Sequence, residues 1–282
     1  MQSKHQRVDS GATVIAMKLP WLLWPQHHCS GPNIIVIFVQ TATALANDYF
    51  QFKAFTIRQQ NTAMKVGTDG VMLGAWARVP PQGKLLDVGT GTGLIAIMMA
   101  QRSNAKITAI EIDREAYLQA CKNIQECRWY QRITPIHQSF GEFYRHTGEH
   151  FDGIVCNPPY FQDPYPSPSS GRNRARNNAL LPYEELVEGS ARLLKPTGML
   201  SVIMPYEEAE GLIQLASQAG LFCIRRMNIL PAPHKEPKRV MLGFKRKKHP
   251  LFEEWLTIET GRRHHYTPAY RSLTRDFYLF FK

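Results

Sequence analysis

The segment Leu85-Leu86-Asp87-Val88-Gly89-Thr90-Gly91-Thr92-Gly93 carries an apolar run into a turn built on three glycines. Lys84–Val88 reads as a buried strand, and the pattern from about Leu94 to Arg102 as a helix. Glycines at a strand-to-helix turn let backbone approach a ligand where a Cβ would clash, and the helix behind them presents unpaired N–H groups. The spacing is G-x-G-x-G, not the G-x-G-x-x-G of dinucleotide sites, and an acid, Asp87, stands two residues before the first glycine.

On the C-terminal side the alternation continues. Lys106–Ile110, Ile133–His137 and Phe151–Cys156 read as strands, separated by a helix at Arg114–Glu126 and a short one near Gly141–Arg145. A Pro/Ser/Arg-rich loop runs to about Leu181. Tyr183–Leu194 is a helix, Lys195–Gly198 a turn, Met199–Met204 a strand, Glu207–Ala219 a helix, and Leu221–Leu230 and Arg239–Lys245 the last strands. On the N-terminal side, alternation around Phe50, Phe52 and Ala54 predicts a hairpin ending near Gln60, and Thr68 or Asp69 is placed to cap a helix through Trp76. This order predicts an α/β fold: a doubly wound, seven-stranded, mostly parallel sheet with helices on both faces. The short Pro231–Lys238 connection suits an antiparallel hairpin at the sheet edge.

Two further features carry chemistry. Glu111 ends the second strand 18 residues after Gly93. An acid there can accept hydrogen bonds from both ribose hydroxyls of an adenosine. Together with the glycine turn it favours a nucleoside cofactor with no pyrophosphate to bind. At the end of the fourth strand stands Asn157-Pro158-Pro159-Tyr160. The prolines fix φ and bias Asn157 and Pro158 toward extended backbone, so their carbonyls lack ladder partners. The Asn157 side-chain oxygen and the Pro158 carbonyl can accept both protons of a planar amino group, and Tyr160 offers a ring for stacking a base. Two such acceptors favour a more tetrahedral nitrogen and aim its lone pair for an in-line displacement.

The glycine turn with its second-strand acid resembles class I S-adenosylmethionine-dependent methyltransferases, which are Rossmann-like. The resemblance implies S-adenosyl-L-methionine as cofactor. The position after the third strand often contacts the cofactor adenine in that family, which points here to Ser139, with Gln138 as the other choice. Asn157-Pro158-Pro159-Tyr160 resembles the motif of amino methyltransferases acting on adenine N6, guanine N2 or a glutamine amide.

Lys65-Val66-Gly67-Thr68-Asp69-Gly70, continuing to Leu73-Gly74-Ala75-Trp76, narrows the choice. With the ending Tyr266–Leu279 and the pair Arg172 and Arg176, it resembles the bacterial tRNA1(Val) (adenine(37)-N6)-methyltransferases. The resemblance runs from about Phe50 to the C-terminus. It implies transfer to N6 of adenine-37, with Lys65, Thr68 and Asp69 joining Asp87, Gly89, Gly91, Gly93, Glu111, Ser139 and Asn157 around the cofactor. Asn157, Pro158 and Tyr160 then carry the reaction on a base flipped out of the anticodon loop. Pro159, Phe161, Arg172 and Arg176 belong to a loop that closes over it. The rival readings are another amino methyltransferase, acting on ribosomal RNA or a protein glutamine, and an RNA-binding module without catalysis.

Charge points to the same class of partner. Of 282 residues, 34 are basic and 23 acidic, a net charge of +11. Residues 47–234 are nearly balanced at 19 basic to 17 acidic, while residues 235–282 hold 12 basic and five acidic. Lys245-Arg246-Lys247-Lys248 and Arg262-Arg263 are expected to track phosphates. The five cysteines form no CxxC pair, and His27-His28 has no partners at ligand spacing, so neither a disulfide scaffold nor a metal site is expected. Residues 1–46, with three prolines ahead of an apolar run about half as long as a bilayer span, read as a poorly ordered extension outside a methyltransferase domain at 47–282. No membrane helix is expected, and the setting is cytoplasmic.

Overall fold

The computed structural model describes residues 48–60, 65–158 and 181–281. A small antiparallel hairpin, β1 (Tyr49–Gln51) and β2 (Thr56–Arg58), precedes α1 (Thr68–Trp76). The main series follows: β3 (Lys84–Val88), α2 (Leu94–Arg102), β4 (Lys106–Glu111), α3 (Arg114–Glu126), β5 (Ile133–His137), α4 (Phe140–His146) and β6 (Phe151–Cys156). After the Pro/Ser/Arg segment come α5 (Tyr183–Leu193), β7 (Leu194–Pro205), α6 (Ala209–Gln218), β8 (Phe222–Leu230), β9 (Arg239–Lys245), β10 (Phe252–Thr257) and α7 (Pro268–Thr274).

The main sheet has eight strands in the order β10-β8-β9-β7-β6-β3-β4-β5. β9 alone runs antiparallel, wedged between β7 and β8. The expected seven strands and their hairpin are present, and β10 adds an eighth, parallel to β8. The hairpin is therefore covered on its outer side. The expected turn at Lys195–Gly198 is instead the start of β7, where Leu194 pairs with Phe151 and the register shifts before Gly153. This irregularity absorbs three extra residues of β7 without ending the strand.

Alternation along the strands assigns each face its helices. Leu85, Val155, Ile203 and Met241 join one core with residues of α1, α2, α3 and the C-terminal segment. Leu86, Ile154, Val202 and Leu242 join a second core with residues of α4, α5 and α6. β3, β4, β6 and β7 all end on one edge, so Gly89, Glu111, Asn157 and Pro205 project from the same side of the sheet.

Candidate functional site

Three glycines of the turn after β3 adopt left-handed backbone, with φ of 68° at Gly89, 57° at Gly91 and 83° at Gly93. They serve two purposes. A Cβ on Gly93 would touch Ala120 and Ile124 of α3 at 3.5–3.6 Å, so Gly93 allows the close approach of that helix. A Cβ on Gly89 or Gly91 would meet nothing within 4 Å, so these two border open space beside the strand ends. Their backbone is thus free to lie against a ligand.

Asp87 is fully buried under the start of α2, which has only Gly93 at its N-cap. Its Oδ2 accepts the Thr90 hydroxyl at 2.6 Å and the Ala96 N–H at 3.0 Å, so Asp87 supplies the cap the helix lacks. Its Oδ1 has no hydrogen-bond partner among the described residues. Burial raises its carboxyl to about 7, helped by the charge of Glu111 and opposed by the Thr90 and Ala96 bonds. A cation beside Oδ1 would restore the ionised form.

Glu111 ties the second strand to the glycine turn. Its Oε2 accepts the Gly91 N–H at 2.8 Å, and its Oε1 accepts the N–H groups of Ile112 and Asp113 at 3.0 and 2.9 Å. Burial raises its pKa against the pull of those three bonds. One lone-pair direction on Oε2 remains for a ribose hydroxyl, and a second hydroxyl would compete with Gly91. Ile112, 39% exposed beside it, offers an apolar surface to a base.

Asn157 and Pro158 lie beyond β6, next to the glycine turn. Pro158 is buried and Asn157 half-buried. The first turn of α1 comes up against them: a Cβ on the buried Gly70 would lie 3.9 Å from Asn157 Nδ2. Lys65 and Thr68 are exposed at this end of α1. Neither Thr68 nor Asp69 caps the helix, because both fall inside its first turn and Gly67 takes the cap position without a side-chain bond. Asp69 instead accepts Arg239 Nε at 2.9 Å, tying α1 to the start of β9. Pro159, Tyr160, Phe161, Arg172 and Arg176 lie outside the described residues.

Ser139 is the N-cap of α4. Its Oγ accepts the Glu142 N–H at 3.2 Å and donates to the Glu142 carboxylate at 3.0 Å. Its side chain is therefore engaged in a reciprocal cap, which is the physical reason it suits this position.

The basic candidates separate by sheet edge. β9 runs opposite to its neighbours, so Lys245, Arg246, Lys247 and Lys248 emerge at the far end from Asn157. Arg246 donates to the Ala191 and Leu194 carbonyls at the end of α5, satisfying groups a helix terminus leaves unpaired. Lys248 sits over the Phe222 ring at 4.7 Å. Arg262 and Arg263 follow β10, which ends on the same edge as Asn157, and both are exposed.

Asn123 has no counterpart among the sequence motifs. Fully buried on α3, it donates to the Thr92 carbonyl at 2.8 Å and the Arg58 carbonyl at 2.9 Å, and its oxygen accepts the Arg58 N–H at 2.9 Å. It fastens the glycine turn to the N-terminal hairpin. The available signal was its place on the stripe of α3 that includes Ala120 and Ile124. Among the described residues no group of three His, Cys, Asp or Glu side chains is arranged to hold a metal ion, and no helix is long and apolar enough to cross a membrane.

Residues 70–216 match the methyltransferase small domain family. The chain is 43% identical over 236 residues to a tRNA1(Val) (adenine(37)-N6)-methyltransferase of Bacteroides fragilis, covering 83% of this chain and 99% of the relative. It is 44% identical to the protein of that name from Flavobacterium psychrophilum, covering 82% and 99%. For the one from Trichodesmium erythraeum the identity is 41%, covering 83% and 99%. Among solved structures, a predicted O-methyltransferase from Agrobacterium tumefaciens superposes with a TM-score of 0.59 at 20% identity, covering 74% of this chain and 96% of that one, a likeness of fold.

Proposed function

The chain belongs to the family of tRNA1(Val) (adenine(37)-N6)-methyltransferases, and from that premise we propose that it transfers a methyl group from S-adenosyl-L-methionine to N6 of adenine-37 in the anticodon loop of tRNA1(Val). The observation that carries this reading is one edge of the sheet. The open glycine turn, the Glu111 carboxylate and Asn157-Pro158 lie side by side at the ends of β3, β4 and β6.

The residues present fit the cofactor. Gly89 and Gly91 would leave room for it, Glu111 would accept a ribose hydroxyl, Ile112 would cover a base face, and the Oδ1 of buried Asp87, without a partner among the described residues, would favour a positive charge nearby. When bound, S-adenosylmethionine supplies an electrophilic methyl group. Asn157 and the Pro158 carbonyl accept the two amine protons of the adenine and orient its nitrogen. The family resemblance assigns Tyr160, Pro159, Phe161, Arg172 and Arg176 to the extruded base and its strand, and these positions lie outside the described residues. No strong base is required, since the amine can lose its proton after attack.

Arg262 and Arg263 contact phosphates on the catalytic edge. Lys65 and Thr68 face the same edge from α1, and Asp69 acts there through Arg239. The position of Lys245–Lys248 supports at most an outlying contact. Residues 1–46 are placed outside the catalytic domain, whose family match falls at residues 70–216. The setting proposed is the cytoplasm.

The test is Asn157→Ala. Methyl transfer to unmodified tRNA should fall by at least 100-fold (roughly 3 kcal/mol at the transition state) while cofactor affinity, measured by calorimetry, stays within about twofold. Equal loss of both would remove Asn157 from the acceptor site.

A further inference from the structure

Beyond the end of β10 the chain builds a second basic and aromatic cleft. Thr260, His264, His265, Tyr266, Arg271, Phe280 and Phe281 surround a volume of about 310 Å³. Its floor is a set of nearly parallel rings. Tyr266 stacks on Tyr270 at 5.2 Å, Phe280 on Tyr266 at 6.0 Å and on Tyr278 at 5.0 Å, all within 25° of parallel. Tyr270, Tyr278 and Phe281 are buried, whereas Phe280 is 55% exposed. Phe280 packs at the margin of this cluster and keeps more than half of its surface in solvent, where a further ring can reach it.

One cation, Arg271, lines the cleft together with Phe280. Arg271 is held over Phe281 at 5.5 Å, and Arg262 and Arg263 are exposed on the adjoining loop. The acid of this loop, Glu259, is engaged, accepting the His264 N–H at 2.8 Å. The loop itself is closed by Thr260 N–H to the His265 carbonyl at 2.8 Å and His265 N–H to the Arg262 carbonyl at 3.1 Å. His264 is held at φ 64°, a conformation uncommon for a residue with a side chain. The cleft lies on the same sheet edge as Asn157, four strands away, or about 20 Å at the usual strand spacing.

We propose that this cleft is a second nucleotide site, which takes one unstacked nucleotide of the substrate RNA, its base on Phe280 and its phosphate on Arg271. The assignment rests on the RNA-methyltransferase reading for the polymer that reaches it, but its chemistry is independent of Asn157. Extruding the target base leaves neighbouring bases with uncovered faces, and a ring beside an arginine is the pairing that captures them. Stacking is tolerant of base identity, so the site adds affinity and orientation more than sequence reading.

The test uses the full chain and a fluorescein-labelled anticodon stem-loop of tRNA1(Val), with binding read by anisotropy. Phe280→Ala should weaken binding about five- to 150-fold, the range for losing one base–aromatic stack, and Phe280→Trp should restore it. Arg271→Gln should weaken binding and flatten the dependence of log K on log salt by about 0.7 for one lost single-strand phosphate contact. Calorimetric cofactor affinity should stay within twofold in all three variants, and their thermal melting should match the parent. RNA binding within twofold of the parent in both Phe280→Ala and Arg271→Gln overturns the proposal. The readout needs no methyl transfer. If the parent binds RNA through Phe280 and yet leaves adenine-37 unmodified, the catalytic reading fails while the second site stands.

Discussion

Glu111 accepts the backbone N–H of Gly91 at 2.8 Å, so the acid that ends β4 also holds the glycine turn that follows β3. The carboxylate proposed to recognise the cofactor is thus also a local folding element. Glu111→Ala should cost about 1–3 kcal/mol of stability, because three backbone donors lose their acceptor, and should weaken cofactor binding about tenfold or more. Urea titration and calorimetry read the two effects. Glu111→Gln, which keeps one acceptor oxygen, should fall between.

Asp87 makes the site sensitive to pH. Its folded carboxyl sits near 7 because it is buried, well above the ordinary 3.8. The folded state therefore keeps a proton that the unfolded chain gives up, and stability should fall as pH rises from about 4 to about 7. A bound cation favours the ionised carboxylate, so cofactor affinity should move the other way. It should rise roughly tenfold between pH 6 and 8 if the ionised form alone binds. Melting and calorimetry at those pH values check both trends, and Asp87→Asn should flatten each.

Sheet direction divides the basic residues of the tail. Arg246 caps α5 at the far edge, so Arg246→Ala should lower stability by about 1 kcal/mol and leave RNA affinity within twofold. Arg262→Gln combined with Arg263→Gln should do the reverse, weakening RNA binding with a smaller salt dependence and little change in melting. Equal effects of the two changes on RNA binding would contradict the division.

The α/β series was legible because its strands are buried on both faces, which gives mostly apolar runs such as Lys84–Val88 and Phe151–Cys156. Glu111 and Asn157 were legible because each stands at the end of such a run, and Asp87 because it interrupts one just before the glycine turn. β10 was not: in Phe252–Thr257 Leu256 alone is buried, and an edge strand exposing Phe252 and Trp255 shows no core pattern. Arg246 read as one of four consecutive cations, and nothing local reveals that the end of α5 lies beside it. Ser139 also caps α4 through Glu142, a role that the Ser139-x-x-Glu142 spacing encodes. Asn123 was missed because its partners, Arg58 and Thr92, are 65 and 31 residues away.

The contact between α4 and α5 rests on Gly189. A Cβ there would lie 2.5 Å from Phe140 Cε1 and 2.7 Å from Tyr144 Cδ1, both in buried rings. Gly189→Ala should destabilise the protein by about 1–3 kcal/mol through overpacking, lowering the melting temperature by several degrees. An unchanged melt would mean that the rings yield.

The central claim is tested most directly by where the methyl group goes. The protein is incubated with radiolabelled S-adenosylmethionine and tRNA lacking the modification, and the RNA is digested to nucleosides. Label in N6-methyladenosine, lost when adenine-37 of tRNA1(Val) is replaced by guanine, is the result predicted. Label in N2-methylguanosine or in protein would contradict it.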